Sequence, residues 1–266
     1  MAAIRVAHGA LLQNREHVFG RSTDAPRFLR WRHHIGTIPA DDIAMTTPAP
    51  LRIDFVSDVA CPWCAVGLAS LQQALGKLDG SIEAEIHLQP FELSPQMPFE
   101  GEDAVDHIMQ KYGISEAQSE ANRKVLRERA AAVGFTYNMQ RGSRVWNTFD
   151  AHRLLHWAEL EDREKAVALK QALFRAYFTD NENVADREVL ARIAGDAGLD
   201  AGEARRMLDS GDYADEVRAQ ERHWQQVGIH SVPAAIVNRQ YLISGGQPPE
   251  VFENALREIA AKTAAG

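Results

Sequence analysis

Two cysteines occur among the 266 residues, Cys61 and Cys64, with only Pro62 and Trp63 between them. Such a pair fits a reversible dithiol–disulfide couple, half of a metal site, or two small residues packed in a core. Zinc would need two further ligands, and no second cysteine pair exists to supply them. His152 and His156 stand one helical turn apart, but histidines at that spacing more often pack in or on a helix, so no metal is expected. A structural disulfide framework would use more cysteines at wider spacing. Redox use is the strong reading. The reactive form of a cysteine is the thiolate, and a free thiol has a pKa of about 8.5. With Cys61 at a helix N-terminus, unpaired backbone N–H groups and the positive end of the helix dipole would favour negative sulfur. Pro62 then takes the first helical position, where its missing N–H costs nothing. Cys64 follows about one turn later, within reach of Cys61. The expected cycle is attack by the Cys61 thiolate on a substrate disulfide, followed by resolution of the mixed disulfide by Cys64.

The flanking elements place the pair between a strand and a helix. Leu51, Ile53, Phe55 and Val56 form a short apolar strand that Ser57-Asp58 ends. After Cys64 a helix runs to about Leu78, with Val66, Leu68, Leu71, Ala74, Leu75 and Leu78 at helical spacing. Residues 82–88 alternate Ile82, Ala84, Ile86 and Leu88 against Glu83, Glu85 and His87, which predicts a half-buried strand. Strand, helix, strand in that order predicts a parallel pair with a right-handed crossover. Helical segments then follow at about 102–112, 115–133, 145–160, 162–178, 186–195 and 200–209, with no strand signal of any strength. A helix over about 213–227 leads to Val232-Pro233, a hairpin of 234–237 and 241–243 turning near Asn238-Arg239, and a last helix opening at Pro248-Pro249. Without the helical block the order is β-α-β-α-β-β-α. The fold class is therefore α/β, a thioredoxin-like fold with a large all-helical insertion between the second strand and the helix before Pro233. Residues 49–92 plus 213–266 form the thioredoxin-like part, 93–212 the insertion, and 1–48 a disordered or non-native N-terminal extension. Pro233 falls where thioredoxin-like folds carry a cis-proline, and the backbone of Val232 would offer an edge to an extended substrate.

Four segments in this order resemble the DsbA family of thioredoxin-fold proteins, most closely its FrnE-like branch. They are Asp54-Phe55-Val56-Ser57-Asp58 running into Cys61-Pro62-Trp63-Cys64, Pro90-Phe91-Glu92-Leu93, Asn147-Thr148-Phe149-Asp150-Ala151-His152-Arg153-Leu154, and Val232-Pro233-Ala234 with Ile243-Ser244-Gly245-Gly246-Gln247-Pro248. The resemblance covers about 51–261. It implies disulfide oxidoreductase or isomerase activity, with Cys61 attacking, Cys64 resolving, Pro233 in cis, and Pro62 and Trp63 tuning the pair. Related branches, the kappa-class glutathione transferases and the 2-hydroxychromene-2-carboxylate isomerases, typically carry serine at the first active-site position and use glutathione. Within the resembling segments, Asp58 is expected to cap the helix, with handling a proton for Cys64 as the alternative. His152 is expected to be a helix-packing histidine, with facing the Cys-x-x-Cys pocket as the alternative, and Trp146, Phe149 and Trp157 to form insertion core and not a binding wall.

Composition narrows the function classes. A net charge of −8 with no basic stripe argues against nucleic acid. No window approaches the roughly 18 apolar residues of a membrane span, so no membrane partner is expected. The first 44 residues carry Arg5, Arg15, Arg21, Arg27, Arg30 and Arg32 without a sustained period or a signal peptide's apolar core. A cytoplasmic location follows as the expectation, where a Cys-x-x-Cys pair is transient or catalytic. The leading reading is a protein disulfide oxidase, reductase or isomerase acting on protein or small-molecule thiols and disulfides, with no cofactor. Glutathione is kept open as a co-substrate. The alternatives are a glutathione-dependent isomerase or transferase, and a non-enzymatic redox-sensing or chaperone-like binding protein. Oligomeric state is left open.

Overall fold

The computed structural model of the chain describes residues 50–265, and the expectation for residues 1–48 lies outside the described residues. The segment from Pro50 onward makes one compact unit. Its centre is strand β1 (Leu51–Ser57), with Ile53, Phe55, Val56 and Ser57 fully buried. β1 pairs in parallel with β2 (Ala84–Pro90) from Leu51↔Ala84 to Ser57↔Pro90. On its other side it pairs antiparallel with β5 (Ala234–Val237), which in turn pairs with β6 (Tyr241–Ser244), giving the order β2-β1-β5-β6. The hairpin turn has Asn238 and Arg239 at φ 50° and 56°, and the Gln240 N–H closes it on the Val237 carbonyl. Two successive positive φ values define the primed turn whose twist matches the strands. Asn238 tolerates that conformation and uses its Oδ1 to accept the Arg52 N–H at 3.0 Å.

β2 begins two residues later than the alternation predicts and continues to Pro90. Ser81 and Ile82 both donate backbone N–H bonds to Leu78, which holds them in the turn after α1 (Pro62–Leu78). The strand is also covered more fully than a half-buried one. Ile86, His87 and Leu88 are all buried, because α4 (Phe149–Glu161) and α5 (Arg163–Phe178) pack against it. Glu159 of α4 accepts the Leu88 N–H at 2.9 Å, which closes a donor on this edge strand.

The two sheet faces separate by strand parity. Leu51, Ile53, Phe55, Ala235 and Val237 join the main core with α1 and the last helix, α9 (Pro249–Ala265). Val56, Ala234 and Ile236 face Trp224 of α8 (Ala214–Gln226). Between β2 and α8 lie α2 (Ala104–Tyr112), α3 (Glu116–Ala132), α4, α5, α6 (Arg187–Asp196) and α7 (Ala201–Ser210). The insertion is helical apart from a two-residue ladder, β3 (Glu102–Asp103) with β4 (Arg144–Val145). That ladder explains two late helix starts. Asp103 stays extended and caps α2 by accepting the Val105 and Asp106 N–H groups. Asn147 likewise accepts the Phe149 N–H just before α4. Leu154, Leu169, Leu173, Phe174 and Leu208 belong to the same core cluster as Cys61, Cys64 and the β1 side chains, so hydrophobic packing is continuous from sheet to insertion.

Two glycines of α1 test this packing. A Cβ on Gly76 would meet nothing within 4 Å, whereas one on Gly67 would stand 3.0 Å from Pro233 Cγ. Gly76→Ala is expected to raise stability by about 0.5–1 kcal/mol through helix propensity. Gly67→Ala is expected to lower it by about 1 kcal/mol despite the same propensity gain. Urea midpoints at constant m-value check both.

Candidate active site

Cys61 is the N-cap of α1, in extended conformation, with Pro62 as the first helical residue. No side chain caps this helix. The helix N-terminus therefore opens onto the Cys61 sulfur. The Cys64 and Ala65 N–H groups both point back to the Cys61 carbonyl, at 2.9 and 3.4 Å. Both cysteines are free thiols. Cys61 Sγ lies 3.8 Å from the Val232 carbonyl, across from the Val232–Pro233 bond, which is cis. Cys64 is fully buried behind it, within hydrogen-bond reach of the Cys61 sulfur. Burial first, then the Cys61 sulfur, push the Cys64 thiol well above its ordinary range, while Lys170 pulls it down.

The loop around Pro233 is seated tightly on α1. Gly245 donates to the Pro233 carbonyl at 2.8 Å. A Cβ on Gly246 would stand 2.8 Å from the Trp63 carbonyl, and Arg129 donates to the Gly246 carbonyl at 3.2 Å. Tyr112, at the end of α2 and 57% exposed, adds a rim. Its hydroxyl is raised by burial and by the nearby Cys61 sulfur.

Beneath the pair sits Asp58, only 1% exposed. The expectation of a helix cap is corrected here: its Oδ1 accepts the Ala60 N–H at 3.0 Å, two residues on and ahead of the helix. The reason is geometric, because the chain from Asp58 to Cys61 turns before α1 begins, with Cys61 N–H bonded to the Asp58 carbonyl at 3.2 Å. The Asp58 carboxylate instead gathers distant segments. Leu93 donates its N–H to Oδ2 at 2.7 Å, Thr148 its hydroxyl to Oδ1 at 2.9 Å, and His152 Nε2 lies 3.4 Å from Oδ1. Burial works to raise Asp58, but the His152 hydrogen bond and charge and the Leu93 and Ala60 N–H groups prevail and hold it below its ordinary value. His152 thus packs against Asp58 and not merely within α4. Of the three insertion aromatics, Trp157 is buried core, while Phe149 lies beneath the Arg218 guanidinium at 3.8 Å and Trp146 covers Gly101.

Two further groups escape a reading of the sequence. Lys170 of α5 is 1% exposed, and the titratable groups that act on it are Cys64, Asp58 and Cys61. Burial brings it down to about 8, so keeping it charged at neutral pH costs folding about 3 kcal/mol. Its signal was present: Ala166, Leu169, Leu173, Phe174 and Tyr177 form an apolar stripe, and Lys170 falls inside it. Glu92 and Glu221 are a buried carboxyl pair bridged by Arg218. Burial raises both, and one oxygen of each lacks a hydrogen-bond partner among the described residues. Glu221 shares the buried face of α8 with Val217 and Trp224. No group of three or more metal-ligand side chains is assembled among the described residues. His152 turns to Asp58 and His156 to Gln220.

The sign of the Asp58 contribution is fixed by its lowered pKa. Its stabilisation is present above the unfolded value of about 3.9 and is lost as pH falls through the lower folded value. Asp58→Asn is therefore expected to destabilise by roughly 3 kcal/mol at pH 7. The gap between wild type and variant should close below pH ~4, as urea unfolding at pH 3–7 would show.

The family model of the DSBA-like thioredoxin domain matches residues 52–257. The uncharacterized protein YwbO of Bacillus subtilis (strain 168) is 26% identical over 213 residues, covering 80% of this chain and 98% of that one. Among solved structures, the "probable DsbA oxidoreductase SCO1869" from Streptomyces coelicolor aligns with a TM-score of 0.71 and 40% identity, over 78% of this chain and 89% of that one. The cytosolic disulfide reductase DsbM from Pseudomonas aeruginosa, solved with GSH, shares the fold at a TM-score of 0.57 and 16% identity, over 79% and 99% of the two chains. With a dithiol at the head of α1 and the family match spanning sheet, insertion and last helix, the chain belongs to the DSBA-like thioredoxin domain family of thiol–disulfide oxidoreductases.

Proposed function

We propose that the chain exchanges disulfides with protein substrates through Cys61-Pro62-Trp63-Cys64, as a FrnE-like member of its family. The observation that carries this reading is the placement of two unlike thiols. Cys61, itself only 4% exposed, stands at the uncapped N-terminus of α1 3.8 Å from the Val232 carbonyl, and Cys64, with no exposed surface, lies within hydrogen-bond reach of the Cys61 sulfur. Cys61, at the head of α1 beside the Val232 carbonyl, is the nucleophile toward an incoming disulfide. Attack forms a bond between Cys61 and one substrate sulfur and releases the other as thiolate. Cys64 then attacks the Cys61 sulfur, forms the intramolecular disulfide and frees the second substrate thiol. The reverse sequence oxidises a substrate dithiol. Val232 backbone and Pro233 lie beside the Cys61 sulfur and would receive an extended segment of substrate, with Tyr112 and Trp63 as flanking apolar surface.

A cytoplasmic setting belongs to the same proposal. A chain with two cysteines, both in one Cys-x-x-Cys pair, spends none on structural crosslinks.

Cys61→Ser is expected to abolish insulin reduction and refolding of scrambled ribonuclease. Cys64→Ser should accumulate a mixed disulfide at Cys61, visible by mass spectrometry. Turnover unchanged in Cys61→Ser would sink the mechanism. The reduction potential of the pair assigns its direction: a value near about −270 mV marks a reductant and one near about −120 mV an oxidant.

A further inference from the structure

α3 lies against the head of α1. Leu126, Ala130 and Val133 pack with Val66, and Trp63 of the Cys61–Cys64 motif rests on them. This packing brings Arg129, in the last turn of α3, to the loop that follows the hairpin: its Nη2 donates to the Gly246 carbonyl at 3.2 Å. Gly246 stands against the Trp63 carbonyl and ring, and its neighbour Gly245 donates to the Pro233 carbonyl at 2.8 Å. Arg129 is thus reached from Pro233 through one hydrogen bond and one peptide link, and the residue before Pro233 turns its carbonyl to the Cys61 sulfur. One hydrogen bond leaves most of a guanidinium's five N–H donors unused. No carboxylate pairs with Arg129 among the described residues, whereas Arg123 and Arg127 of the same helix both pair with Glu120. The residues that link Arg129 to the sulfur, namely Trp63, Val232, Pro233, Gly245 and Gly246, carry no charge. A cation in the last turn suits the helix dipole, yet a fully solvated side chain would serve that purpose. Arg129 is instead drawn, half-buried, against the loop.

We propose that Arg129 is a specificity residue of the exchange site, which receives the carboxylate of an acidic side chain flanking the cysteine of an extended peptide substrate. The inference rests on Cys61 being the exchanging thiol. A planar guanidinium fits a carboxylate through parallel N–H···O bonds, and the donors that Gly246 leaves unused are available for them. The need for a local cation is electrostatic. The attacking thiolate is an anion and the whole chain carries a net charge of −8, so an acidic substrate is repelled by both. Arg129 offsets that repulsion beside the loop where the substrate is held. The bond to Gly246 fixes the guanidinium before substrate arrives, so less side-chain freedom is lost on binding. The exchange is unaltered in its chemistry: the Cys61 sulfur bonds to one substrate sulfur, and the other leaves with the electron pair as thiolate. Arg129 touches the flank of the substrate and not its sulfurs.

The test uses the full-length Cys64→Ser protein, which stops at the mixed disulfide, and symmetric disulfides of three peptides with blocked termini, Glu-Cys-Glu, Gln-Cys-Gln and Lys-Cys-Lys. Formation of the adduct at Cys61 is timed by acid quench and mass spectrometry at low salt. Each rate is divided by that of 2-mercaptoethanol with the same peptide, which removes differences between the leaving thiols. Arg129→Gln keeps an amide donor but no charge, and is expected to lower the ratio of the Glu rate to the Gln rate roughly fivefold to tenfold. Arg129→Lys keeps the charge without the fork and should fall between that variant and the parent. Salt at about 0.5 M should shrink the difference between Arg129→Gln and the parent. A clamp with no part in recognition would slow all three peptides by a common factor and leave the ratios as they were, and that result would overturn the proposal. The parent protein decides the matter if Arg129→Gln does not fold: its normalised rates should run Glu, Gln, Lys in falling order. A net charge of −8 without a local cation gives the reverse order, and finding the reverse would overturn the proposal as well. No adduct at Cys61 with any of the peptides would instead overturn the exchange reading itself.

Discussion

Four donors converge on one carboxylate three residues before Cys61. Two are backbone N–H groups, from Ala60 and Leu93, and two are side chains of the insertion, Thr148 and His152. A buried carboxylate with fewer partners would be expelled or neutralised, since desolvation alone disfavours the charge. With these partners Asp58 remains an anion and fixes three stretches of chain that sequence separates by up to 94 positions. The path of the backbone into Cys61 is therefore set by a polar contact to the insertion as well as by the sheet.

The same contact explains why the insertion cannot be viewed as an appendage. α4 supplies Thr148 at its start and His152 one turn on, and α5 supplies Lys170. The apolar side chains of these helices join those of β1 and α1 in one core that includes both cysteines. Burial on this scale gives Cys64 its high pKa, and the buried cation opposes it. The residues of the Asn147–Leu154 stretch divide between two tasks. Thr148 and His152 reach Asp58, whereas Arg153 pairs with Asp150 and closes the carbonyls of Met207, Leu208 and Asp212 at the end of α7. One face of α4 thus builds the site while the other anchors the insertion.

Opposite Asp58, the contacts around Pro233 are steric. Gly67 and Gly246 allow the helix, the Pro233 ring and the following loop to approach within van der Waals distance. Only a residue without a side chain fits at Gly246, because the atom in the way is a backbone carbonyl and cannot rotate aside. Close approach from this side and charge pairing from the other leave the Cys61 sulfur little freedom of position.

Much of the architecture was legible from local rules. Strand parity, helical spacing and the proline and glycine breaks located β1, α1, the hairpin and α9, because those patterns report which face of an element is buried. The Cys61–Cys64 spacing and Pro62 determined that a thiol pair heads a helix, for the same local reason. Where β2 begins was less legible, since Ser81 and Ile82 are held by turn hydrogen bonds that no alternation reveals. Tertiary structure decided what surrounds the sulfur. Whether Asp58 capped a helix or gathered the insertion, and whether Lys170 snorkelled to solvent or stayed buried, depended on which helices pack together. Those contacts are long-range, and the energy of a buried charge is set by its neighbours and not by its own position in the chain.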